Sequence, residues 1–348
     1  MSVVHFNSAG AGLPAPETVQ TIIEHLCCEA EYGPMEAGAR VKDRLDKTYQ
    51  AAARLLGCAP QQVAFGSGHG QLYGDIVSAI SLNAEDKILV SRQEWIGNVL
   101  CLHRAASLSG AAVSVMASDD STAVDLAALH KALSKPVRIV ALTWVGASGS
   151  LINPAAAIGQ AIRQSGSSAF FIIDASQAVG QLSVDVSQIG CDALIACGRK
   201  FLLGPRGTAI AYMSPRLAAD IVPRRVDDVS AAWIEGEAVV PKSARAFELG
   251  EESIALRLGL GSAIERALEL GLDNIRAALD AKASALRRSL AAVSGVRLLD
   301  LGKEKAACFT FTLDGWSCGA VKQIWLTEAS RSRPTVPITP LMICKCGE

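Results

Sequence analysis

A lysine closes an apolar run in "DALIACGRKFLLGPRGT", where Lys200 stands between a strand-like stretch and a Gly-Pro turn. At the end of a buried strand a lysine is exposed, paired, or used chemically. One apolar run earlier an acid takes the matching place: "FFIIDASQ" leads four apolar residues into Asp174, and Gln177 follows. Burying that carboxyl is costly unless a cation faces it. Asp174 could equally cap a helical turn, and Lys200 could equally be a solvated surface lysine. Upstream, "VAFGSGHGQLYGDIVSAI" places Gly68, His69 and Gly70 directly before a helical pattern. Glycines there permit close approach, and the first free N–H groups of a helix bind anions; a flexible loop is the plainer reading. Trp95, just after "KILV", could stack on a planar ring or simply pack.

Which of these residues can meet depends on the elements that carry them. "KILV" (87–90), "AAVSVM" (111–116), "RIVALTWV" (138–145), "AFFIIDA" (169–175), "DALIAC" (192–197) and "TAIAYM" (208–213) read as strands. Amphipathic segments such as "VDLAALHKALS" and "INPAAAIGQAIRQSG" lie between most of them. Strands apolar on both faces and separated by helices predict an α/β fold, its mainly parallel sheet covered on both sides. Ligands of such sheets bind beyond the carboxyl ends of the strands, which would set Asp174 and Lys200 side by side. An amine to hold an aldehyde and a carboxylate to keep a pyridine nitrogen protonated are what pyridoxal 5'-phosphate (PLP) needs. Residues 251–293 carry long helical patterning, and "VRLLD" and "ACFTFTLDG" then read as strands of a small C-terminal α+β domain. The expected division is an N-terminal segment (1–20) packing with the small domain, a large cofactor-binding domain (21–270), and a connecting helix with the small domain (271–348). That last part reads as short or incomplete, because "RSRPTVPITPLMICKCGE" has no clear periodicity.

The 348 residues are 50% hydrophobic with a net charge of −1. This balance gives no basic footprint for nucleic acid and no polybasic segment for a membrane surface. No apolar run is long enough to span a bilayer, and "MSVVHFNSAGAGLP" lacks the regions of a signal peptide. A cytoplasmic protein is expected. Ten cysteines are scattered without a CxxC pair or histidines at ligand spacing, so reduced thiols are expected and no metal site.

In this order the pieces resemble the class V aminotransferase and cysteine desulfurase family of fold-type I PLP-dependent enzymes. "HFNSAGAGLP" resembles its opening segment, "AFGSGHGQ" its phosphate loop, and "DASQAVGQLSVDVSQIGCDALIACGRKFLLGPRGTAIAYM" its most diagnostic block, over residues 5 to about 270. The resemblance implies a homodimer with active sites at the subunit interface. It implies that Lys200 forms the Schiff base, Asp174 pairs with the pyridine nitrogen and Gln177 bonds the ring hydroxyl. Trp95 takes the place of the stacking histidine; Gly68, His69 and Gly70 meet the phosphate, with Arg199 in the place of a phosphate-binding histidine. A partner contribution is expected near 247–261. The chain departs from the pattern at Gly198, where a Ser or Thr hydroxyl is usual, and at Glu251, where a threonine is usual. Trp144 and Ala147 replace a common His and Asn. Neither the late carboxylate-binding Arg motif nor the late catalytic Cys is recognisable after residue 320, and Cys318 reads as structural. "GRKFLLGPRGT" with "FELGEES" most resembles the hercynylcysteine sulfoxide lyases.

The resemblance implies a small amino acid as substrate, with the Lys200 amine as general base at its Cα. Simple β-elimination needs no catalytic cysteine, which favours a C–S lyase. The alternatives are a class V aminotransferase and a degenerate, non-catalytic paralogue.

Overall fold

A computed structural model describes residues 4–5, 7–146, 149–331 and 338–339. Its strands are β1 (Val4–His5), β2 (Val63–Gly66), β3 (Lys87–Val90), β4 (Ala112–Val115), β5 (Ile139–Thr143), β6 (Phe170–Asp174), β7 (Ala193–Cys197), β8 (Ala209–Met213), β9 (Ala232–Ile234), β10 (Glu237–Val239), β11 (Val296–Leu298), β12 (Phe311–Leu313) and β13 (Ile338–Thr339). Seven of them form one sheet in the order β2-β8-β7-β6-β5-β3-β4. β3 to β7 run parallel, while β8 runs antiparallel to both of its neighbours.

That topology gathers the predicted residues on one edge. Because β8 runs backwards between β2 and β7, β2 points the same way as the parallel strands. Gly66 pairs with Ala209, and Ala209 with Cys197; two strands along, Asp174 pairs with Thr143 and Ile195. The loops after β2, β3, β6 and β7 and the turn entering β8 therefore open at one rim, as ligand sites of α/β sheets do.

Each central strand is apolar on both faces, and the period-2 alternation divides it between two cores. Val140, Leu142, Phe171, Ile173, Leu194 and Ile210 enter one core, and Ile139, Ala141, Phe170, Ile172, Ile195 and Ala211 the other. The first core is closed by α3 (Lys42–Leu56), α6 (Leu126–Ala132), α7 (Ala155–Gln164), α8 (Val186–Ile189) and α10 (Ile254–Leu270). The second is closed by α4 (His69–Ala79), α5 (Ile96–Ser109) and α9 (Pro215–Asp220). α1 (Pro16–Tyr32) and α2 (Pro34–Arg40) precede this layer, α11 (Leu272–Ala291) leaves it, and α12 (Cys318–Arg331) follows β12. The expected mainly parallel sheet with helices on both faces is present.

Three features differ from the sequence reading. The "VAFG" stretch, read as an apolar approach to a loop, is strand β2; it shows no alternation because both of its faces are buried. The continuous helical pattern over 251–293 breaks at Gly271, whose φ of +79° ends α10 and turns the chain into α11. An exposed hairpin, β9–β10, lies between the sheet and α10. The small C-terminal part pairs β11 with β12 antiparallel, and β13 pairs with β1. Ala147, Cys344 and Cys346 lie outside the described residues. Seven described cysteines carry free thiols, whereas Cys318 is disulfide-bonded. No described helix is long and apolar enough to cross a membrane.

Candidate active site

Asp174 ends β6 with only 5% of its surface exposed. Both of its oxygens have partners: Oδ1 accepts from the Ser176 N–H at 2.8 Å, and Oδ2 from Asn98 Nδ2 at 2.9 Å. His69 Nε2 lies 3.2 Å from Oδ1, close enough for charge although its N–H is not well aimed. Burial alone would push this carboxyl up. The His69 ring, the charge of Lys200 and the Ser176 N–H outweigh burial and hold it well below the usual carboxylate range. Asp174 thus caps a local turn through Ser176, and its carboxylate also faces His69 and Lys200.

Behind Asp174 stands a second, unforeseen carboxyl. Asn98, buried on the first turn of α5, also donates to Glu94 Oε1 at 2.8 Å. Glu94 further accepts from Ser91 Oγ at 2.8 Å, from the Thr143 N–H at 2.9 Å and from Thr143 Oγ1. Burial raises the Glu94 carboxyl, the bonds from Thr143, Asn98 and Ser91 pull it down, and Asp174 adds to the rise. The only sequence signal for this network is the spacing of Glu94 and Asn98, four apart where a helix starts.

Lys200 lies in the loop after β7, beside Asp174. Gly180 makes this juxtaposition possible. Its φ is +91°, and a Cβ there would stand 2.3 Å from the Leu202 nitrogen, so only glycine lets the loop after β6 pack onto the lysine loop. The N-terminal segment straps the same region. Gln177 Nε2 donates to the Ala9 carbonyl at 3.0 Å, Arg199 Nη1 donates to the Gly10 carbonyl, and the Gly12 N–H donates to the Arg199 carbonyl at 2.7 Å. The other end of the Gln177 amide, Oε1, is buried without a partner.

A cavity of about 310 Å³ is walled by Gly68, His69, Gly70, Trp95, Asp174, Arg199 and Lys200. Of the predicted site residues only Gln177 stands outside this wall, just behind Ser176, which lines it. Sequence reasoning missed Ser67, Cys197, Arg206 and Thr208, which also line it. The Trp95 indole meets the His69 ring edge-on at 5.6 Å, and His69 stacks on Tyr73 at 5.3 Å. The His69 side chain thus sits with Asp174 and Trp95, leaving the backbone of the loop to face an anion. Trp95 keeps its place because Gly97 has no side chain: a Cβ there would lie 2.3 Å from the indole Cζ3.

Two other departures have structural accounts. Trp144 is buried in the core. In "FELGEES", Glu251 is exposed, whereas Glu248 is buried and accepts from the Phe65 N–H at 2.8 Å and the Tyr49 hydroxyl at 2.5 Å. That segment therefore braces β2, the strand that carries the glycine loop.

These residues fit PLP on the structure's own terms. At Gly68 and Gly70 a Cβ would meet no atom within 4 Å, so the loop leaves room for a bulky anion. The unpartnered Gln177 Oε1 is an acceptor suited to a ring hydroxyl. Asp174 is a buried carboxylate kept ionised, suited to a protonated ring nitrogen.

Comparison with known proteins agrees. A cysteine desulfurase of Synechococcus elongatus is 29% identical over 83% of this chain. The match takes in 46% of that relative, so the chain spans about half its length. A Mycobacterium tuberculosis protein named "Probable hercynylcysteine sulfoxide lyase" is 28% identical over 94% of this chain and 79% of its own. Among solved structures, a variant of the cystine C–S lyase C-DES with glycine covalently linked to its PLP cofactor superposes with a TM-score of 0.87. It is 20% identical, covers 94% of this chain and 88% of its own, and shares the fold. The sequence model of aminotransferase class-V matches residues 4–329. The chain belongs to the aminotransferase class-V family, whose members are PLP-dependent enzymes.

Proposed function

We propose that the protein is a PLP-dependent C–S lyase that removes a sulfur leaving group from Cβ of a cysteine-type amino acid. The observation that carries this reading is the buried, ionised Asp174 beside Lys200 at the rim of the sheet. When bound, the cofactor supplies an electron sink for the charge that develops at the substrate Cα. The Lys200 amine is the group to hold the cofactor's aldehyde and, once displaced by substrate, to take the Cα proton. Asp174, its two oxygens fixed by Asn98 and Ser176, would hold the ring nitrogen's proton. Trp95 would cover the ring, and Gln177 Oε1 would accept from the ring hydroxyl. Gly68, His69 and Gly70 would offer backbone N–H groups to the phosphate, and Arg199 would add charge beside them.

Elimination is the reading chosen because loss of a sulfur leaving group from Cβ needs only the Cα proton to be removed and no nucleophilic thiolate. The named functions of the relatives, desulfurases and C–S lyases, support carbon–sulfur substrates.

The protein acts as a homodimer in this reading. Val19, Ile23 and Leu26 form an exposed stripe on α1, Met35 is exposed beside it, and Trp233 and Ile234 are exposed on the β9–β10 hairpin. Such apolar faces on a folded chain mark interfaces. We place the protein in the cytoplasm on the seven described free thiols, against the Cys318 disulfide, which a reducing compartment disfavours.

The test is to add PLP to the purified protein and supply a panel of cysteine S-conjugates. Pyruvate and ammonia released in equal amounts support the lyase. Amino-donor-dependent conversion of the cofactor to its pyridoxamine form, without pyruvate, would replace it with transamination. Absence of any Lys200-dependent visible absorbance would sink the cofactor assignment.

A further inference from the structure

The phosphate end of the cavity poses a problem of donors. Glycine at 198, two residues before Lys200, brings no side-chain donor to the cavity. Arg199 already spends one guanidinium nitrogen on the Gly10 carbonyl. A phosphate taken from water needs hydrogen-bond donors and positive charge to replace its hydration.

The turn that enters β8 supplies both. Gly66 pairs with Ala209, and Ala209 with Cys197. One residue further along this register, Thr208 stands between Ser67 of the glycine loop and Gly198 of the lysine loop. The Gly198 N–H donates to the Thr208 carbonyl at 2.9 Å. A Cβ built at residue 198 would lie 2.3 Å from Thr208 Oγ1. The Thr208 hydroxyl therefore fills the space that a side chain at 198 would occupy. Glycine at 198 thus leaves room for the Thr208 hydroxyl. Thr208 is 6% exposed and lines the cavity; its Oγ1 donates to the Pro205 carbonyl at 2.7 Å, a bond whose proton can rotate toward an anion. Two residues back, Arg206 also lines the cavity and makes no ion pair among the described residues. Like Arg199, it faces no carboxylate among the described residues and is left to meet an anion from solution.

We infer that the 204–208 turn is the second half of the phosphate cradle, with Thr208 Oγ1 and the Arg206 guanidinium supplying the donors that Gly198 cannot. The inference rests on the PLP reading above and assigns the contacts by which this chain would tell the phosphorylated aldehyde from the free one.

The experiment titrates wild type and variants with PLP and with pyridoxal, which lacks the phosphate, following visible absorbance and melting temperature. Arg206→Gln and Thr208→Val should each weaken PLP about ten-fold or more, the scale of a hydrogen bond to a charged group, with pyridoxal unchanged. Gly198→Ser alone should weaken PLP by collision with Thr208. Combined with Thr208→Ala, it should regain affinity over Thr208→Ala alone, because a hydroxyl again occupies the space between residues 198 and 208. The inference is overturned if Arg206→Gln and Thr208→Val leave the preference for PLP over pyridoxal as in wild type. Equal weakening of both aldehydes also overturns it, since that is the mark of a merely structural turn. A wild type that takes up neither aldehyde refutes the cofactor reading itself, a result distinct from one that binds both without preference.

Discussion

The two ends of the cavity are built on opposite plans. At the end that holds Asp174, each carboxylate oxygen is met by a donor from its own chain, and Asn98 passes the restraint on to Glu94, Ser91 and Thr143. At the other end the polar groups face outward: Gly68 and Gly70 border open space, and Ser67, Gly70, Arg206 and Gly207 are exposed. The first end is fixed during folding, so its charge needs no rearrangement when a ring arrives. The second has its donors still to satisfy, and it is where a ligand should return binding energy. Substitutions at the first end should therefore damage the fold and the chemistry together, and those at the second should damage binding alone.

The largest effect is expected at Asp174. Asp174→Asn should cut turnover with an S-conjugate on the order of 10²–10³-fold or more, the scale of one lost electrostatic group in an active site. Unchanged turnover in a steady-state assay would show that the carboxylate is not opposite the ring nitrogen. The same variant should lose a pH-dependent part of its stability. The Asp174 carboxyl is depressed in the folded state, so its stabilisation is complete above the ordinary carboxyl value of about 4 and fades as pH falls through the folded one. Acid melting curves of wild type and Asp174→Asn should differ at neutral pH and converge toward low pH. Parallel curves would contradict the depressed value.

Asn98→Ala comes next. It removes donors to both Asp174 and Glu94 and leaves buried acceptors short, which should cost about 1–3 kcal/mol in denaturant titration. Turnover should fall as well, since Asp174 loses a partner. A neutral result at both readouts would mean the network adds nothing to the ring end. The smallest effect on stability is expected at Gly68→Ala. Gly68 has an extended φ of 174° and its new Cβ would meet no atom, so unfolding should move by less than about 0.5 kcal/mol. PLP affinity should nevertheless fall, because the methyl group intrudes on the loop's open side. Loss of stability without loss of affinity would reverse the contrast between the two ends.

Much of this was legible in the chain. The runs ending at Asp174 and before Lys200 declared themselves as buried strands, because a sheet covered on both faces buries apolar residues at successive positions. Gly68 and Gly70 before a helical pattern were equally plain. Glu94 and Asn98 were not, since a short polar stretch after a strand looks like any loop until Asp174 is seen to face it. Arg206 and Thr208 lie inside the lysine motif, and for the same reason no local spacing marks them. Strand β2 was hidden because "VAFG" shows no periodicity of its own and becomes a strand only by pairing with β8.

By itself, then, the sequence determined the chemistry on offer: an acid, an amine and a glycine loop, each tied to the end of an apolar element. The tertiary structure alone decided what each group faces. A reversed strand, β8, carries Thr208 into the gap between Ser67 and Gly198, and Gly180 lets the loops after β6 and β7 touch. Neither relation is written in local spacing, because contacts across a sheet are set by register, and register is a property of paired strands.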